Sequence, residues 1–330
     1  MPEANSIQDT TYSGTHTQQF ITLATLELDT VNKNCVYVED GIKKQKTIMR
    51  LDVTGIIQRR QPTPTSQGTV TVDGKVINPQ DMMVYYEFNP RDYEVHWLAE
   101  DLNALLLDRQ LPPTAASYMI MQTFKRLNEQ HEQMIWQGRQ MYDPLGSAID
   151  PTTKGQSAAA AAWFYFDGLI YKMLNDSSVV QVSGVALTVS NIKTQLDACY
   201  AAVPKQLLFK YGKNGLKFHC SYYSKQLYEE YQIEQPFKNT DTTEKGIDRY
   251  KGYDVIPLAG VPDNTIIVTI SRPGMDSRLW LGLNSTEDES QLKVSPLQAN
   301  SEMWFVKGLM KMDTQTGWGQ EIVISTTITL

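Results

Sequence analysis

The chain has only three cysteines and four histidines in 330 residues, and no apolar run near the ~20 residues that a membrane helix needs. Cys35, Cys199 and Cys220 are odd in number and far apart, which excludes a disulfide framework and a zinc cluster built from cysteine alone. His16, His96, His131 and His219 are scattered. His131-Glu132 begins like a zinc-protease helix, but the place of the second histidine is held by Ile135, so two ligands cannot share a face. His131 lies instead on an apolar stripe and reads as a satisfied, half-buried side chain. Phe218-His219-Cys220 invites a thiol–imidazole reading, yet neighbours in a strand point to opposite faces and cannot pair. Gly-x-Ser-x-Gly, Walker and Gly-x-Gly-x-x-Gly patterns are missing. Thr286-Glu-Asp-Glu289 is acidic but has neither the spacing nor the glycine of a calcium loop, and reads as a solvated turn. The expectation is a protein without catalytic, cofactor-binding or metal residues, and not an enzyme.

Charge is also scarce. Asp, Glu, Lys and Arg make up 20% of the chain, against about 25% in ordinary globular domains. Thirty Lys and Arg against 37 Asp and Glu leave −7, with an isoelectric point near 5.2 and a mean hydropathy of −0.36. A protein that grips nucleic acid over its whole surface would be basic. The first residues, MPEANSIQDTTYSGTHTQQ, have neither the positive start nor the apolar core of a signal peptide. The reading is a soluble chain made in a reducing compartment and not exported. Thr, Gln, Asn and 17 Tyr fill the polar quota. Such a surface suits extensive protein contact, because interfaces enrich Tyr and deplete Lys and Glu.

Along the chain, residues 1–32 carry Glu3, Asp9, Glu27 and Asp29 and no Lys or Arg. With little apolar bulk before Phe20, they read as an extended arm. Residues 33–60 reverse the sign: Lys33, Lys43, Lys44, Lys46, Arg50, Arg59 and Arg60 outweigh Glu39, Asp40 and Asp52, giving +4. The two segments are matched to pair within the chain or between copies, weakly, at ~0–1 kcal/mol per exposed pair. Thr47–Ile57 favours strand and Met82–Phe88 answers it. Thr69–Ile77 between them reads as a small hairpin turning at Asp73-Gly74. Pro62 and Pro64 mark a loop tip. A lone ribbon is marginal in water, and its own chain offers no obvious platform. Arg59-Arg60 at that tip fit either phosphate or the acidic arm of a neighbouring copy, and the chain itself supplies the second partner.

Asn89-Pro90 then caps a helix through Trp97, Leu98, Leu102, Leu105 and Leu106. A second runs from about Thr114 to Gly138, with Ala116, Ile120, Phe124, Leu127, His131 and Met134 on one stripe. At about 25 residues it is roughly 37 Å long, with Gly138 placed as a left-handed stop. Residues 139–157 are loop-like. An α/β region follows, with a helix capped by Ser190-Asn191 and ended by Pro204, a strand at Leu216–Ser221 and a helix at Tyr222–Tyr231. Strands are expected at Tyr253–Leu258 and Thr265–Ile270, and the chain closes with Gln291–Val294, Met303–Met312 and Glu321–Ile328. There is no internal repeat.

Arm, ribbon, long helix, α/β insertion and closing sheet occur in an order that resembles the major capsid proteins of tailed bacteriophages. Their fold is named after phage Hong Kong 97 and is shared with encapsulins. Gly41–Asn89 looks like the family's extended loop and Pro113–Gly138 like its spine helix. Trp163–Leu174 is similar to the entry into its axial domain, and Tyr250–Val268 to the strands leading out. Leu279-Trp-Leu-Gly282 to Ile328 looks like the return through the peripheral sheet. Each string is weak alone; their joint order carries the resemblance.

The resemblance implies an α+β fold with an N-terminal arm at 1–40, an extended β-hairpin loop at 41–89, a peripheral domain from 90–145 and 271–330, and an axial domain at 146–270. It implies a structural protein that self-assembles into pentamers and hexamers and builds the icosahedral head around double-stranded DNA. It would assemble in the host bacterial cytoplasm and reside in the virion. It implies no cofactor and no membrane, DNA contacted only indirectly, a portal, possible decoration proteins and a scaffold that is separate or not needed. Glu27, Asp29, Lys43, Lys44, Lys46, Arg59 and Arg60 are the expected contacts between subunits. The family's lysine–asparagine crosslink has no assignable lysine among Lys43, Lys44, Lys46 and Lys75. The competing readings are an encapsulin-type compartment shell, an α/β enzyme with an unrecognised site, and a phage tail or adhesin subunit, which would have more strand and no 25-residue helix.

Overall fold

Val, Ile, Leu and Met alternate with polar residues through most of the strands, and the structure sorts them into three sheets. The computed structural model describes residues 10–12, 28–60, 62–63, 65–89, 113–139, 166–211, 215–234, 248–284, 292–298 and 303–328. In chain order they form β1 (Thr10–Tyr12), α1 (Asp29–Asn32), β2 (Tyr37–Glu39), β3 (Lys46–Thr54), β4 (Thr69–Ile77), β5 (Gln80–Phe88) and α2 (Pro113–Gln137). There follow α3 (Leu169–Asn175), β6 (Val180–Ser183), α4 (Ile192–Ala202), α5 (Lys205–Tyr211), β7 (Leu216–Cys220), α6 (Tyr222–Glu234), β8 (Arg249–Tyr250), β9 (Tyr253–Pro257) and β10 (Ile266–Ile270). The last strands are β11 (Leu279–Leu283), β12 (Leu292–Pro296), β13 (Trp304–Thr316) and β14 (Val323–Thr326). Residues 90–106 of the expected helix, residues 140–157 of the expected loop, His16, Glu27, His96 and the 286–289 acidic cluster lie outside the described residues.

The large sheet runs β1-β12-β13-β11-β2, with β5 also paired to β13. The small sheet runs β6-β14-β10-β7-β9-β8, and β3-β4 form a ribbon of their own. Leu216, Phe218 and Cys220 of β7 point into a core under α4, α5 and α6 that includes Leu196, Cys199, Leu207 and Leu227. The opposite face of the same sheet, through Ile256, Ile267 and Ile324, joins a second core with Leu28, Cys35, Trp136, Leu169, Leu281 and Met312. That second core is where α1, the end of α2, α3 and the large sheet meet. At ~25 cal/mol per Å2 of apolar area, it is the joint that holds the two sheets to one another.

The 25-residue helix is present as expected. Its stop works differently. Gly138 is not left-handed; a Cβ there would stand 2.6 Å from both Met134 O and Phe166 O. The glycine lets the returning chain touch, and Gly168 N–H donates to Gly138 O at 2.8 Å.

Three strand expectations need correction. Asp73 and Gly74 are not a turn but the middle of β4, opposite Arg50 and Met49. The reversal lies at the far end, where Gly55 (φ 68°) and Gly68 (φ 91°) supply the positive angles. Strand β5 does not answer β3: it pairs with β13 along its whole length, from Gln80 opposite Met312 to Phe88 opposite Trp304. Its alternate residues Met82 and Phe88 are buried, and that burial fixes the register. Strand β14 does not close the large sheet; it sits in the small one between β10 and β6. The arm's last residues are also more than an extended lead. Leu28 and Thr30 are buried, and Thr30, Glu132 and Trp136 form one hydrogen-bonded set.

Candidate assembly surface

Register fixes which ribbon residues share a face. Leu51 stands opposite Val72, Val53 opposite Val70 and Thr47 opposite Val76, with Met49 opposite Gly74 between them. These residues form one apolar stripe, while Arg50, Thr71, Asp73 and Lys75 occupy the other face. The stripe is bare: Met49 is 76% exposed, Leu51 64% and Val72 68%. At the tip, Ile56 and Ile57 are exposed as well, Ile57 at 93%. Contiguous exposed apolar area of this kind marks an interaction surface.

The root of the ribbon, by contrast, is clamped. Ile77 is fully buried with Ile42 and Trp280, and Ile48 and Tyr37 pack against them. Gly282 admits Ile77 to that position, since a Cβ there would be 2.5 Å from the isoleucine's Cγ2. On the polar face, Lys75 pairs with Asp176 and donates to Thr316 Oγ1 at 3.3 Å. Burial works against the Asp176 charge, yet the lysine and Ser178 hold its carboxyl below the ordinary value. Asn78 N–H donates to Asp313 Oδ2 at 2.8 Å, and Gln315 Nε2 to Val76 O at 2.6 Å. The Arg50 guanidinium sits 5.2 Å from the centre of the Trp318 ring. A cavity of about 250 Å3 remains between Thr47–Met49 and Met275, Arg278, Trp280 and Trp318. The geometry is a rigid base and a projecting blade with one dry-seeking face.

The expected contact residues are split by this arrangement. Arg59 and Arg60 are exposed at the tip, and Lys43 and Lys44 are exposed before β3. Lys46 forms an ion pair with Glu39 at the root. Asp29 accepts from Lys33 Nζ at 3.0 Å, from Tyr222 OH at 3.1 Å and from Ala259 N–H at 3.2 Å. It therefore anchors the arm's root internally, while Glu27 falls outside the described residues. The apolar stripe was not singled out from sequence, although its signal is there: Met49, Leu51 and Val53 alternate in phase with Val70, Val72 and Val76. Among the described residues no group of three His, Cys, Asp or Glu is placed to hold a metal ion. All three cysteines are free and buried. His131 is buried, not half-buried, and among the described residues its Nδ1 has no hydrogen-bond partner, which corrects the expectation of a satisfied histidine at that nitrogen.

No protein-family model matches the sequence, and no curated protein sequence matches it either. Solved structures do. A chain of the satellite phage P4 procapsid including size determination (Sid) protein superposes with a TM-score of 0.62 at 11% identity, covering 98% of this chain and 94% of that one. A chain of the native GTA particle capsid gives 0.55 at 12% identity, covering 100% and 95%. One from the capsid of Myoviridae phage XM1 gives 0.53 at 10%, covering 91% and 92%. The α+β fold is the Hong Kong 97-like capsid fold, matched over nearly the whole chain.

Proposed function

We propose that this chain is the major capsid protein of a tailed bacteriophage, assembling through pentamers and hexamers into an icosahedral head around double-stranded DNA. The observation that carries the reading is the ribbon: a clamped base and polar face, and an apolar stripe that no described residue of its own chain covers. A neighbouring copy supplies the missing platform. Such a contact is heterologous, one patch against a different patch, and heterologous contacts build rings where the rotation closes and open filaments where it does not. In this reading the β3–β4 part of the loop at 41–89 reaches across neighbours, while β1, β2 and β5 hold parts of the arm at 1–40 and the rest of the loop to the chain's own large sheet. The axial domain at 146–270, with β14 added to its sheet, gathers at the five- and six-fold centres, and the peripheral domain of 90–145 and the rest of 271–330 tiles the shell. Arg59 and Arg60 meet acidic residues of an adjacent copy. A scaffolding protein, a portal and decoration proteins are separate partners, and assembly takes place in the host cytoplasm.

The physical chemistry of a container agrees. Many weak contacts per copy allow errors to dissociate, and stability then comes from number and overlap. A net charge of −7 suits a wall that encloses DNA without binding it tightly, since phosphate contacts would hold a polyanion in place.

The test is negative-stain electron microscopy of the purified chain, alone and with co-expressed scaffold candidates. Closed shells, tubes or five- and six-fold rings are expected. Dispersed monomers under every condition, including added scaffold, would overturn the proposal. Shells that enclose protein cargo and no DNA in the native source would favour a compartment.

A further inference from the structure

His219 is fully buried, and among the described residues neither of its ring nitrogens has a hydrogen-bond partner. Buried polar atoms are almost always paired, so an imidazole with two idle nitrogens calls for a reason. The ring stands in the middle of β7, between Ile256 of β9 and Ile267 of β10. Its neighbours Phe218 and Cys220 point into the core beneath α4–α6, so His219 projects from the other face. There it meets Trp136 of α2, with ring centroids 6.1 Å apart. Trp136 Nε1 donates to Thr30 Oγ1 at 2.8 Å, and Thr30 donates its N–H to Glu132 Oε2 at 3.2 Å and its hydroxyl to Oε1. His131, the residue before Glu132, is 3% exposed with Nδ1 unpaired. Cys35, fully buried, closes the same region, and its carbonyl accepts from Ser271 Oγ at 2.7 Å. This seam joins the small sheet to the layer formed by α1 and the end of α2.

We infer that His219, assisted by His131, is an acid-sensitive latch on this seam: the neutral ring packs as an apolar disc, and the protonated ring forces the α1–α2 layer away from the small sheet. The inference does not rest on the capsid reading, since every group belongs to one chain.

The sign follows from the groups that face the seam. On α1 and just after it these are Asp29, Lys33 and Cys35; on α2, Glu132, with His131 buried one residue before it; on β7, Lys217; β9 presents Asp254 and Ile256, and β10 presents Ile267. Burial pushes the Glu132 carboxyl up despite its hydrogen bonds to Thr30, so acid favours the closed seam at that residue. Burial pushes the Cys35 thiol up to about 11, which keeps it neutral throughout the acid range. Lys33 is raised by its bonds to Asp29 and Tyr222 against its burial, and stays charged. Lys217 donates to Asn34 O at 3.0 Å. Only the two histidines pull the other way. Burial, with Lys217 nearby, pushes His219 down to about 3, and burial pushes His131 down to about 4. An opened seam takes up those protons near 6.5. From pH 6.5 down to about 4, each histidine therefore raises the open-to-closed ratio roughly tenfold per pH unit.

The buried thiols report on this directly. Cys35 lies in the seam, whereas Cys199 and Cys220 lie in the core on the helix side. The full-length chain is treated with 4,4′-dithiodipyridine from pH 7.5 to 4.5, with rates normalised to a free thiol at each pH and sites read by peptide mapping. Each histidine contributes up to about 100-fold between pH 6.5 and 4.5 and Glu132 opposes them, so Cys35 labelling is expected to accelerate by at least about 100-fold over that range while Cys199 stays protected. His219→Leu, an apolar replacement for an unpaired ring, is expected to flatten that slope by about one decade per pH unit and to leave the pH 7.5 rate unchanged. Simultaneous labelling of all three cysteines would mean global unfolding and would overturn the latch. So would a Cys35 profile that is the same in His219→Leu and the parent. Should that variant fail to fold, the ratio of Cys35 to Cys199 labelling in the parent decides, with His131→Leu as the second arm.

Discussion

Two antiparallel strand pairs of equal length show how differently the same local structure is used. In β3–β4 and in β5–β13 nine residues pair with nine. In the second pair Met82, Phe88, Val306 and Met312 turn inward and are buried, while Met83, Tyr85 and Leu309 face out. In the first, the apolar stripe is exposed and only the root is held. Pairing alone leaves a two-stranded ribbon marginal, and a hydrophobic face has to be covered. The sheet pair finds its cover within the chain; the ribbon's stripe stays exposed. One pair is therefore part of the chain's own stability, and the other, in the proposed reading, is part of what the chain joins.

Substitutions sharpen that contrast. The largest effect is expected for Val306→Asp, which places a charge at a site 1% exposed in the sheet pair. The penalty is several kcal/mol, enough to abolish the cooperative unfolding transition; a chain as stable as the parent would break the contrast at its core. Leu51→Asp with Val72→Asp, the matching change on the ribbon, is expected to move subunit stability by no more than about 0.5 kcal/mol per site and to eliminate assembled particles in sedimentation. Ile77→Ala, at the clamp between the two, is expected to cost about 2–5 kcal/mol and to speed proteolysis between residues 55 and 68; unchanged cleavage would show that the root does not hold the blade. Arg59→Glu with Arg60→Glu should leave the circular dichroism spectrum unchanged and reduce the yield of particles, because both side chains are exposed at the tip. The smallest effect belongs to Lys75→Ala. Asp176 is held below its ordinary value, so its pairing stabilises the fold at neutral pH, and that contribution disappears as pH falls through the folded-state value. The variant is expected to lose on the order of 1 kcal/mol at pH 7 and to converge on the parent as pH falls below the ordinary Asp value of about 3.9. A difference that persists in acid would mean that the lysine acts by packing instead.

The sequence made the long helix legible because one apolar stripe repeats at steps of three and four over 25 residues. It made the strands of the small sheet legible because short apolar runs were bounded by turns. It misplaced the ribbon's reversal because Asp-Gly is the strongest local hairpin signal, whereas the true turn needed only two distant glycines. It could not show that β5 leaves β4 for β13, some 220 residues later, because pairing partners are chosen by which faces get buried. The clamp of Ile42, Ile77 and Trp280, the seam around His219 and the internal use of Asp29 are likewise contacts between residues far apart in the chain.

What the sequence determined by itself was local: element types, low charge density, the missing catalytic patterns, and the order of segments that resembles a capsid protein. What only the tertiary structure decided was which apolar faces are dry. An alternating strand reads the same whether its hydrophobic side meets its own core or the surface of a neighbour, because alternation specifies a face and not its partner. The partner is set by the summed burial of the whole fold, and in this chain that sum covers β5–β13 and leaves β3–β4 bare.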